Sequence, residues 1–429
     1  MPSDRDITEE GSVSCSDAPG MGRRDWLKLG AGAALVGFSA CDGRGALEEL
    51  RPPAGAADDA WRAVRGRFLL EPGRAYLNNA SLGMPPREVV DAVCEGYRHL
   101  SSEPLDGKHL LQDQIAEEVV PRLATLLGAS PSEVVLTRNA SEALHLQTTG
   151  LDLSPGDEVL ITSQEHPAGR RPWLFRAARD GVAVNEVFVP SPLPTEEEIV
   201  EAFARAITPR TRAIAFCHVT RGGHRYPVRA LCEMARSRGL VSLVDGAQAV
   251  GQFPTHLGEL GCDAYSASLH KWMLGPSGTG FLYVRAAARD RIRSAFAHDA
   301  SLESPAFDPP GTLDLPVRAA LSSALDFVET LGLERIEARC RFLSDHLKAR
   351  LSESSRVTLL SSNAGQSAPG STIFEVEGID ALEAVPLIES RADAHIDEHQ
   401  RDGHNAIRIS THVYNTTEEV DRVVAALLD

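Results

Sequence analysis

Short apolar runs that end in polar residues recur through the middle of the chain and predict strands. One such run ends at Thr137, a second spans Asp157 to Thr162, and a third spans Arg212 to Thr220. A fourth begins at Val241 and ends in Asp245. Apolar runs of this length are typical of strands that are buried on both faces. An acid at the carboxyl end of such a strand points into the crevice where α/β folds bind ligands.

Apolar positions with helical spacing mark the C-terminal part of the chain. They predict helices from Val317 to Phe327 and from Leu333 to Leu351. The residues from Asn405 onward predict a strand, a turn and an amphipathic helix. Nearer the start, Tyr76 opens a short strand that breaks into a turn before a helix introduced by two prolines.

The first sixty residues differ in composition from the rest. Arg23 and Arg24 precede an apolar run over residues 29–40 that is too short for a stable membrane anchor. This pattern is typical of a twin-arginine export signal, and an ordinary N-terminal helix is the alternative. We expect residues 1–41 to direct export through the twin-arginine translocation machinery to the periplasm, and residues 42–60 to form a linker.

Two features of the expected signal leave alternatives open. Residues 38–41 resemble a lipobox, so lipid anchoring through Cys41 and simple cleavage both remain. The polar stretch before Met21 is long for a leader, so translation could start at Met1 or at Met21.

The composition is that of a globular protein. The chain has 429 residues, 43% of them hydrophobic, which is enough for one large domain and a smaller one. Lys and Arg number 43 against 60 Asp and Glu, for a net charge of −17, and no basic run is interleaved with aromatic residues. Nucleic acid is therefore not an expected partner. The seven cysteines show no metal-ligand spacing, so no metal site is expected, and the last five, from Cys94 onward, are expected to be buried free thiols.

The most informative stretch runs from Tyr265 to Gly280 and sets Lys271 among small residues, a histidine and glycines. It precedes a strand-like segment that begins at Gly280, so Lys271 is expected in a turn at a strand end. A lysine held there loses its proton more easily because of desolvation or nearby cations. A neutral amine can then form a Schiff base with an aldehyde.

Asp245-x-x-Gln248, followed by Ser268-x-His270-Lys271, resembles the class V aminotransferase family of fold-type I pyridoxal-phosphate enzymes. Isopenicillin-N-epimerase-like and cysteine-desulfurase-like proteins are branches of this family. The resemblance runs from about Tyr76 to the C-terminus. It implies an α/β fold with a large, mostly parallel seven-stranded sheet domain, helices on both its faces, and a smaller α+β C-terminal domain.

The resemblance also implies where the domains divide. Residues 61–84 would be an N-terminal segment that packs on the small domain and the active site. Residues 85–310 would form the large cofactor-binding domain, and residues 311–429 the small C-terminal domain.

The cofactor that the resemblance implies is pyridoxal 5'-phosphate. Lys271 would be the internal aldimine lysine, and Asp245 would pair with the pyridine nitrogen, because an ionised acid keeps that nitrogen protonated and the ring an electron sink. Gln248 would hydrogen-bond the phenolic oxygen. Ser268 and His270 would complete the phosphate site.

Two further motifs resemble cofactor-binding segments of the family. The pattern Thr-x-Asn-Ala-Ser-Glu-Ala resembles its phosphate cup, in which Ala140 and Ser141 open a helix whose free N–H groups receive a phosphate; a plain helix cap is the alternative. The Glu-His and Pro-Trp pairs of the second motif resemble a signature of the desulfurase branch, although Gly169 replaces the usual Asn, and His166 would then stack on the cofactor ring. His218, at the end of a predicted strand, would lie near the pocket.

The substrate and the dimer interface involve other segments. Arg408 would clamp an α-carboxylate in bidentate fashion, with a surface ion pair as the alternative. Asn79 and Ala80 would meet the same carboxylate through their backbone. Thr312 would reach the phosphate in the neighbouring subunit of a homodimer, unless its segment is only a turn. The short charged loop over residues 396–404 would set which side chain the substrate carries.

These assignments imply an enzyme that acts at the α-carbon of an amino acid or a derivative through an external aldimine and a quinonoid, with Lys271 as the base. Epimerisation, β-elimination with C–S cleavage, and transamination stay open. Sulfur transfer of the cysteine-desulfurase type is disfavoured, because no cysteine follows Cys340 and that residue lies in a helix pattern. A catalytically silent binding protein is a further alternative. A nucleotide-binding enzyme would need a Gly-x-Gly-x-x-Gly turn, which the chain lacks.

Overall fold

The computed structural model of the protein describes residues 52, 57–294, 307, 311–362, 365–401 and 403–429. The expected export signal, and with it Cys41, lies outside the described residues, as does most of the expected linker. No described helix is both long enough and apolar enough to cross a membrane.

The strands of the described chain form one large sheet, one small sheet and one two-stranded pair. In chain order they are β1 (Ala75–Tyr76), β2 (Val134–Thr137), β3 (Glu158–Thr162), β4 (Ala183–Val187), β5 (Thr211–Cys217), β6 (Val241–Asp245), β7 (Ala264–Ser268), β8 (Gly280–Val284), β9 (Val357–Leu359), β10 (Ser371–Val376), β11 (Ala394–His395), β12 (Asp397–Arg401) and β13 (His404–Ser410).

Helices connect the strands and cover the sheets. In chain order they are α1 (Asp58–Arg65), α2 (Arg87–Ser102), α3 (Pro104–Gln114), α4 (Val120–Leu126), α5 (Ala140–Gly150), α6 (Pro167–Asp180), α7 (Glu196–Ala206), α8 (Val228–Ser237), α9 (Leu257–Leu260), α10 (Leu315–Ala319), α11 (Leu321–Leu331), α12 (Leu333–Leu351), α13 (Ala381–Ala392) and α14 (Thr417–Leu428). A π-helical turn spans Ile115–Val119, and 3₁₀ turns span Pro131–Glu133 and Ala286–Ala288.

The large sheet has seven strands in the order β2-β8-β7-β6-β5-β3-β4, and β8 is the one strand of this sheet that runs opposite to the other six. Successive residues of β3 point into different cores: Leu160 packs on one face, and Val159 and Ile161 pack on the other. A sheet with apolar residues on both faces must be covered by helices on both faces. The predicted fold class, with its mostly parallel seven-stranded sheet, is confirmed.

The small sheet is antiparallel, in the order β12-β13-β10-β9, and has its own core. The N-terminal segment joins this part of the molecule, because β1 pairs with β11 and Leu77 packs in the same core. Helix α11, which the sequence places in the small domain, instead packs Leu321 and Leu325 into a core of the large sheet.

Candidate active site

A cavity of about 200 Å³ lies where the carboxyl ends of β5, β6 and β7 meet the start of α5. Polar side chains from these separate segments face it together. The predicted residues that line it are Ala140, Ser141, His166, Asp245, Gln248, Ser268, His270 and Lys271.

Lys271 lies in the turn after β7, as its sequence context predicts. The loop before α2 passes directly over this turn: the Gly83 N–H donates to the carbonyl of His270 over 2.8 Å. A Cβ at position 83 would lie 1.9 Å from the Lys271 carbonyl oxygen, so only glycine allows this approach. Burial lowers the pKa of the Lys271 amine to about 8, and the charge of Arg408 acts in the same direction while Asp245 opposes it. A useful fraction of this amine is therefore neutral near pH 8.

Asp245 ends β6 and is buried, with its Oδ1 accepting a hydrogen bond from the Ala247 N–H over 2.9 Å. Burial raises the pKa of this carboxyl above its usual value, while the Ala247 N–H and the charge of Lys271 act against that rise. A cationic N–H donor placed in the cavity would stabilise the ionised form further. The protonated ring nitrogen of a pyridine is such a donor.

Glu165 forms a second buried acid beside Asp245, and sequence reasoning missed it. Its carboxyl accepts hydrogen bonds from the Thr162 hydroxyl at 2.7 Å and from the Cys217 N–H at 3.1 Å, and the Cys217 thiol lies at 3.3 Å. One atom from each of Glu165, Cys217 and Asp245 lies within 4.8 Å of the others. Burial raises the pKa of Glu165 to about 8, and the nearby charge of Asp245 adds to that rise. Burial therefore disfavours a second negative charge beside Asp245.

The start of α5 offers donors for an anion. Asn139 caps the helix by accepting from the Glu142 N–H at 2.9 Å, and the Ala140 N–H donates to the Ser268 hydroxyl oxygen at 2.9 Å. Among the described contacts, no acceptor is found for the N–H of Ser141, whose side chain is exposed. The Ser268 hydroxyl proton is not used in its bond with Ala140, so it can also point into the cavity. These groups at a positive helix end suit a phosphate.

The two predicted histidines of the cavity differ in the nitrogen that they present. Nδ1 of His166 accepts from the Ala168 N–H at 3.1 Å, so the ring proton sits on Nε2. Burial and the charges of Lys271 and Arg401 lower the pKa of His166 to about 4, which keeps the ring neutral. His270 instead donates from Nδ1 to the Thr279 carbonyl at 2.9 Å, and burial lowers its pKa as well.

Gln248 faces the cavity from a firmly held position. Its Nε2 donates to the Ala80 carbonyl at 2.8 Å, and its Oε1 accepts from the Trp272 indole N–H at 2.8 Å. Each end of the amide keeps a second site for one more hydrogen bond. The side chain is therefore oriented in advance towards a ligand.

Arg408 does not line this cavity, although it is buried close to it. Its guanidinium is paired with Asp397 from the neighbouring strand β12 and donates to the Asn78 side-chain oxygen at 3.2 Å. Burial lowers the pKa of Arg408 to about 10, and Asp397 opposes that shift. The Asp397 carboxylate thus already accepts from Nη2 of the guanidinium that the sequence analysis expects to bind the substrate carboxylate.

Arg221, which the sequence interpretation left without a role, does line the cavity. Its Nη2 lies 3.1 Å from Asp397 and 2.9 Å from Glu398. Its Nη1 is buried and has no hydrogen-bond partner among the described residues. The only sequence signal for it was its place three residues after His218, just beyond a buried strand.

Four other predicted site residues do not line the cavity. Asn79 is fully buried and accepts from the Tyr414 hydroxyl at 2.9 Å. The Ala80 N–H donates to the Ser410 hydroxyl and its carbonyl accepts from Gln248, so both of its backbone groups are engaged within the chain. His218 bonds through Nδ1 to the Tyr265 hydroxyl and faces a different cavity. Thr312 is exposed.

The cysteines follow the sequence expectation with one exception. Cys217, Cys232, Cys262 and Cys340 are buried free thiols, but Cys94 is exposed on α2. Cys340 lies inside α12, and burial raises its pKa to about 12. A thiol held in this way is not a nucleophile.

The chain is similar to known proteins of one family. The family described as aminotransferase class-V matches residues 75–423. Isopenicillin N epimerase of Streptomyces clavuligerus is 31% identical over 388 residues, which cover 86% of this chain and 97% of the epimerase. The epimerase of Amycolatopsis lactamdurans is 32% identical, with 86% and 98% covered. Cysteine desulfurase of Haloferax volcanii is 30% identical, with 82% of this chain and 88% of that protein covered.

Solved structures share the fold. The cystine C-S lyase C-DES, in a mutant with glycine linked to its pyridoxal-phosphate cofactor, superposes with a TM-score of 0.78 at 24% identity, covering 85% of this chain and 99% of that one. The cysteine desulfurase CsdA of Escherichia coli gives a TM-score of 0.75 at 24% identity, covering 86% and 97%.

Proposed function

The chain belongs to the class-V aminotransferase family, whose cofactor is pyridoxal 5'-phosphate, and we propose that it epimerises the α-carbon of an amino acid or an amino-acid derivative. The observation that carries the proposal is the Lys271 amine, whose pKa is lowered to about 8 beside the buried carboxylate of Asp245. An amine with a pKa near the working pH can both take up and return a proton.

The residues that line the cleft match the chemical groups of this cofactor. Pyridoxal phosphate, when bound, supplies an aldehyde that links to amines and a ring that accepts electrons from the α-carbon. Asp245 would hold the proton on the ring nitrogen, and the neutral ring of His166 would cover one face of the cofactor. Ser141 and Ser268 would donate to its phosphate. Lys271 would remove the α-proton, and a proton delivered to the opposite face of the α-carbon would complete the inversion.

The proposal of epimerisation over sulfur transfer rests on two supports. The epimerases of S. clavuligerus and A. lactamdurans match nearly their full length at 31% and 32% identity. A persulfide-forming cysteine is missing from the C-terminal part of the chain, since no cysteine follows Cys340 and Cys340 itself is buried in α12. Sulfur chemistry would then have to proceed by β-elimination, without a protein thiol.

A product screen of the purified holoenzyme tests the proposal. Each L-amino acid of a panel is incubated with the enzyme, and the mixture is scored by chiral chromatography and for ammonia, keto acid and sulfide. The expected result is the D-enantiomer of at least one panel member without stoichiometric keto acid or sulfide. Keto acid as the main product would identify an aminotransferase, and sulfide would identify a lyase; either would overturn epimerisation.

We further propose that the protein is exported by the twin-arginine route and acts as a homodimer. Export is supported by Arg23 and Arg24 ahead of the apolar run, all outside the described residues. Dimerisation is supported by large apolar side chains that stay exposed on α2, on α3 and in the loop before them: Leu82, Tyr97, Leu105 and Leu110. Fractionation of a strain that carries both arginines as lysines tests export, and sedimentation of the purified enzyme tests the dimer.

A further inference from the structure

The turn that carries Lys271 contains a residue in an unfavourable backbone conformation. Leu274, three positions after the lysine, has a φ of +57°, in the left-handed region that bulky side chains rarely adopt. The Leu274 N–H donates to the Lys271 carbonyl at 3.3 Å, so the lysine and the strained residue belong to one turn. Such a conformation persists only where the surrounding structure holds it in place. The contacts around residues 271–274 must therefore supply that support.

Trp272, the residue after the lysine, is fully buried in a closely packed position. A Cβ added at Gly370 would lie 2.5 Å from its indole ring, and one added at Gly251 would lie 2.5 Å from its carbonyl carbon. Only glycine at these two positions allows so close an approach. The indole N–H donates to Oε1 of Gln248 at 2.8 Å. Trp272 therefore fixes the backbone next to the lysine and also orients a side chain that lines the cofactor cleft.

His412 holds the main chain of Trp272 from the C-terminal tail, between β13 and α14. Its Nδ1 accepts from the Val413 N–H at 2.8 Å, so the ring proton sits on Nε2, which donates to the Trp272 carbonyl at 3.2 Å. The ring stacks on Tyr414, with 5.7 Å between the centroids, and its centroid lies 5.6 Å from that of the indole. Burial lowers the pKa of His412 to about 4, so the neutral ring keeps this arrangement near neutral pH.

We propose that His412 and Trp272 are positioning residues for Lys271, through which the C-terminal tail keeps the lysine turn closed and its amine buried. We call this pair the Trp272–His412 link. Neither side chain lines the cofactor cleft, so both act through the turn and through Gln248. The inference rests on the proposed function only for the role of the Lys271 amine. Because burial lowers the pKa of that amine, a loosened turn should let the pKa rise towards its ordinary value.

Two substitutions that differ by one methylene group test the link. His412→Asn keeps an acceptor for the Val413 N–H but is too short to reach the Trp272 carbonyl, whereas His412→Gln can place an amide N–H near the position of Nε2. The rate of pyridoxal-phosphate uptake by each apoprotein is measured against pH. The midpoint is expected near 8 for the wild type and for His412→Gln, and at about 9 or above for His412→Asn. An unchanged midpoint in His412→Asn, or an equal rise in both variants, would overturn the proposal.

Thr211→Val controls for a general loss of stability. The Thr211 hydroxyl is buried at the amino end of β5, opposite the cleft, and donates to Glu158 at 2.6 Å. Its removal should lower the thermal midpoint and leave the pH midpoint near 8, and a similar rise in the pH midpoint would overturn the proposal. The other groups that act on the Lys271 amine are the same in every variant: Asp245, Arg408, Cys217 and Arg221.

Trp272→Phe tests the other end of the link. It keeps a ring against Gly370 and His412 but removes the N–H that orients Gln248. The pH midpoint should stay near 8, while the dissociation constant of pyridoxal phosphate should rise roughly fivefold, since one hydrogen bond is lost. An unchanged dissociation constant would overturn the role of Trp272.

A second variant covers the case in which His412→Asn does not fold. His412→Phe keeps a ring between Trp272 and Tyr414 without a donor, and the same rise of the pH midpoint is expected of it. Should neither variant fold, the dissociation constant of Trp272→Phe decides the proposal.

The outcomes separate the link from the proposed function, because cofactor uptake needs the Lys271 amine and not the reaction at the α-carbon. If the pH midpoint moves as expected but the product screen finds keto acid or sulfide, the link stands and epimerisation fails. If a D-amino acid is formed and the midpoint does not move, epimerisation stands and the link fails.

Discussion

The cofactor end of the cleft and its substrate end are built in different ways. The cofactor end comes from short segments at the ends of adjacent strands of one sheet: Asp245 on β6, Ser268 on β7 and Lys271 just beyond. The substrate end is assembled from the turn after β5 and from a hairpin of the small sheet, where Arg221 and Arg408 share Asp397. Residues 176 positions apart in the chain must therefore meet to form it.

Family signatures identify the residues that face the cavity at the cofactor end more directly than at the substrate end. At the cofactor end, each side chain faces the cavity directly and is held by its own strand or helix terminus. At the substrate end, the arginine of the family signature is partly neutralised by the chain itself, and a second arginine, Arg221, lines the cavity. Under the proposed function, a substrate carboxylate would therefore meet a network of charges and not a single arginine.

Removing Lys271 should have the largest effect, because it breaks the cofactor end at its centre. Lys271→Ala should lose the visible absorbance of lysine-bound cofactor and all α-proton exchange, a loss of at least roughly 10⁴-fold. Absorbance spectroscopy of the purified variant checks this, with circular dichroism as the control for folding. A variant that keeps both the absorbance and turnover would show that another group carries the chemistry.

Asp245→Asn should keep the cofactor but slow α-proton removal by roughly 10²-fold or more, since a neutral amide cannot hold the charge on the ring nitrogen. The rate of deuterium incorporation into substrate measures this, and retained absorbance shows that the cofactor is still bound. An unchanged exchange rate would exclude Asp245 as the partner of the ring.

Asp397→Asn breaks the substrate end while leaving the cofactor end intact. Arg408 would lose its buried counter-charge, so stability should fall by about 3 kcal/mol, while the affinity for an amino acid carboxylate should rise about tenfold. Thermal unfolding and absorbance titration measure the two effects.

Asp393→Asn is the matched control, because Asp393 pairs with Arg74 at 3.0 Å on the surface and should change neither quantity by much. Weaker amino-acid binding in Asp397→Asn would mean that Asp397 helps to bind the substrate and does not compete with it.

The pH dependence of cofactor uptake tests whether the pKa of Lys271 is lowered. Only the neutral amine attacks an aldehyde, and burial lowers the pKa of Lys271 to about 8. The rate of reconstitution of apoprotein should therefore rise with pH through a midpoint near 8. A midpoint near 10, the ordinary value for lysine, would indicate an amine that solvent still reaches.

The smallest effect is expected at Cys340, which lies in neither region. Cys340→Ala should leave turnover within about twofold and lower stability slightly, because a buried thiol is shortened. Incubation with cysteine should build no persulfide on Cys340, as peptide mapping would show. A stoichiometric persulfide there would place the chain with the desulfurases.

Most of the residues that the sequence assigns to the cofactor line one cavity, because the patterns that mark them are local. A strand that ends in Asp245 and a turn that holds Lys271 are both visible as short patterns, and the seven-stranded sheet follows from the family resemblance. The roles of Asp397 and Arg221 could not be predicted from the sequence, because a charged residue in a short segment gives no sign of its distant partner. The raised pKa of Glu165 could not be predicted for a related reason, because it depends on burial beside Asp245, which only the fold creates.

The most direct test of the central claim is deuterium exchange at the α-carbon. Holoenzyme and the Lys271→Ala variant, each checked for folding, are incubated with each L-amino acid of the panel in D₂O, and the α-proton signal is followed by NMR. The account predicts that the signal of at least one amino acid decays with the wild-type enzyme as deuterium enters the α-carbon and the D-enantiomer accumulates, and that the signal persists with the variant. A signal that persists with the wild-type enzyme across the whole amino-acid panel, or that decays equally fast with the variant, would contradict it.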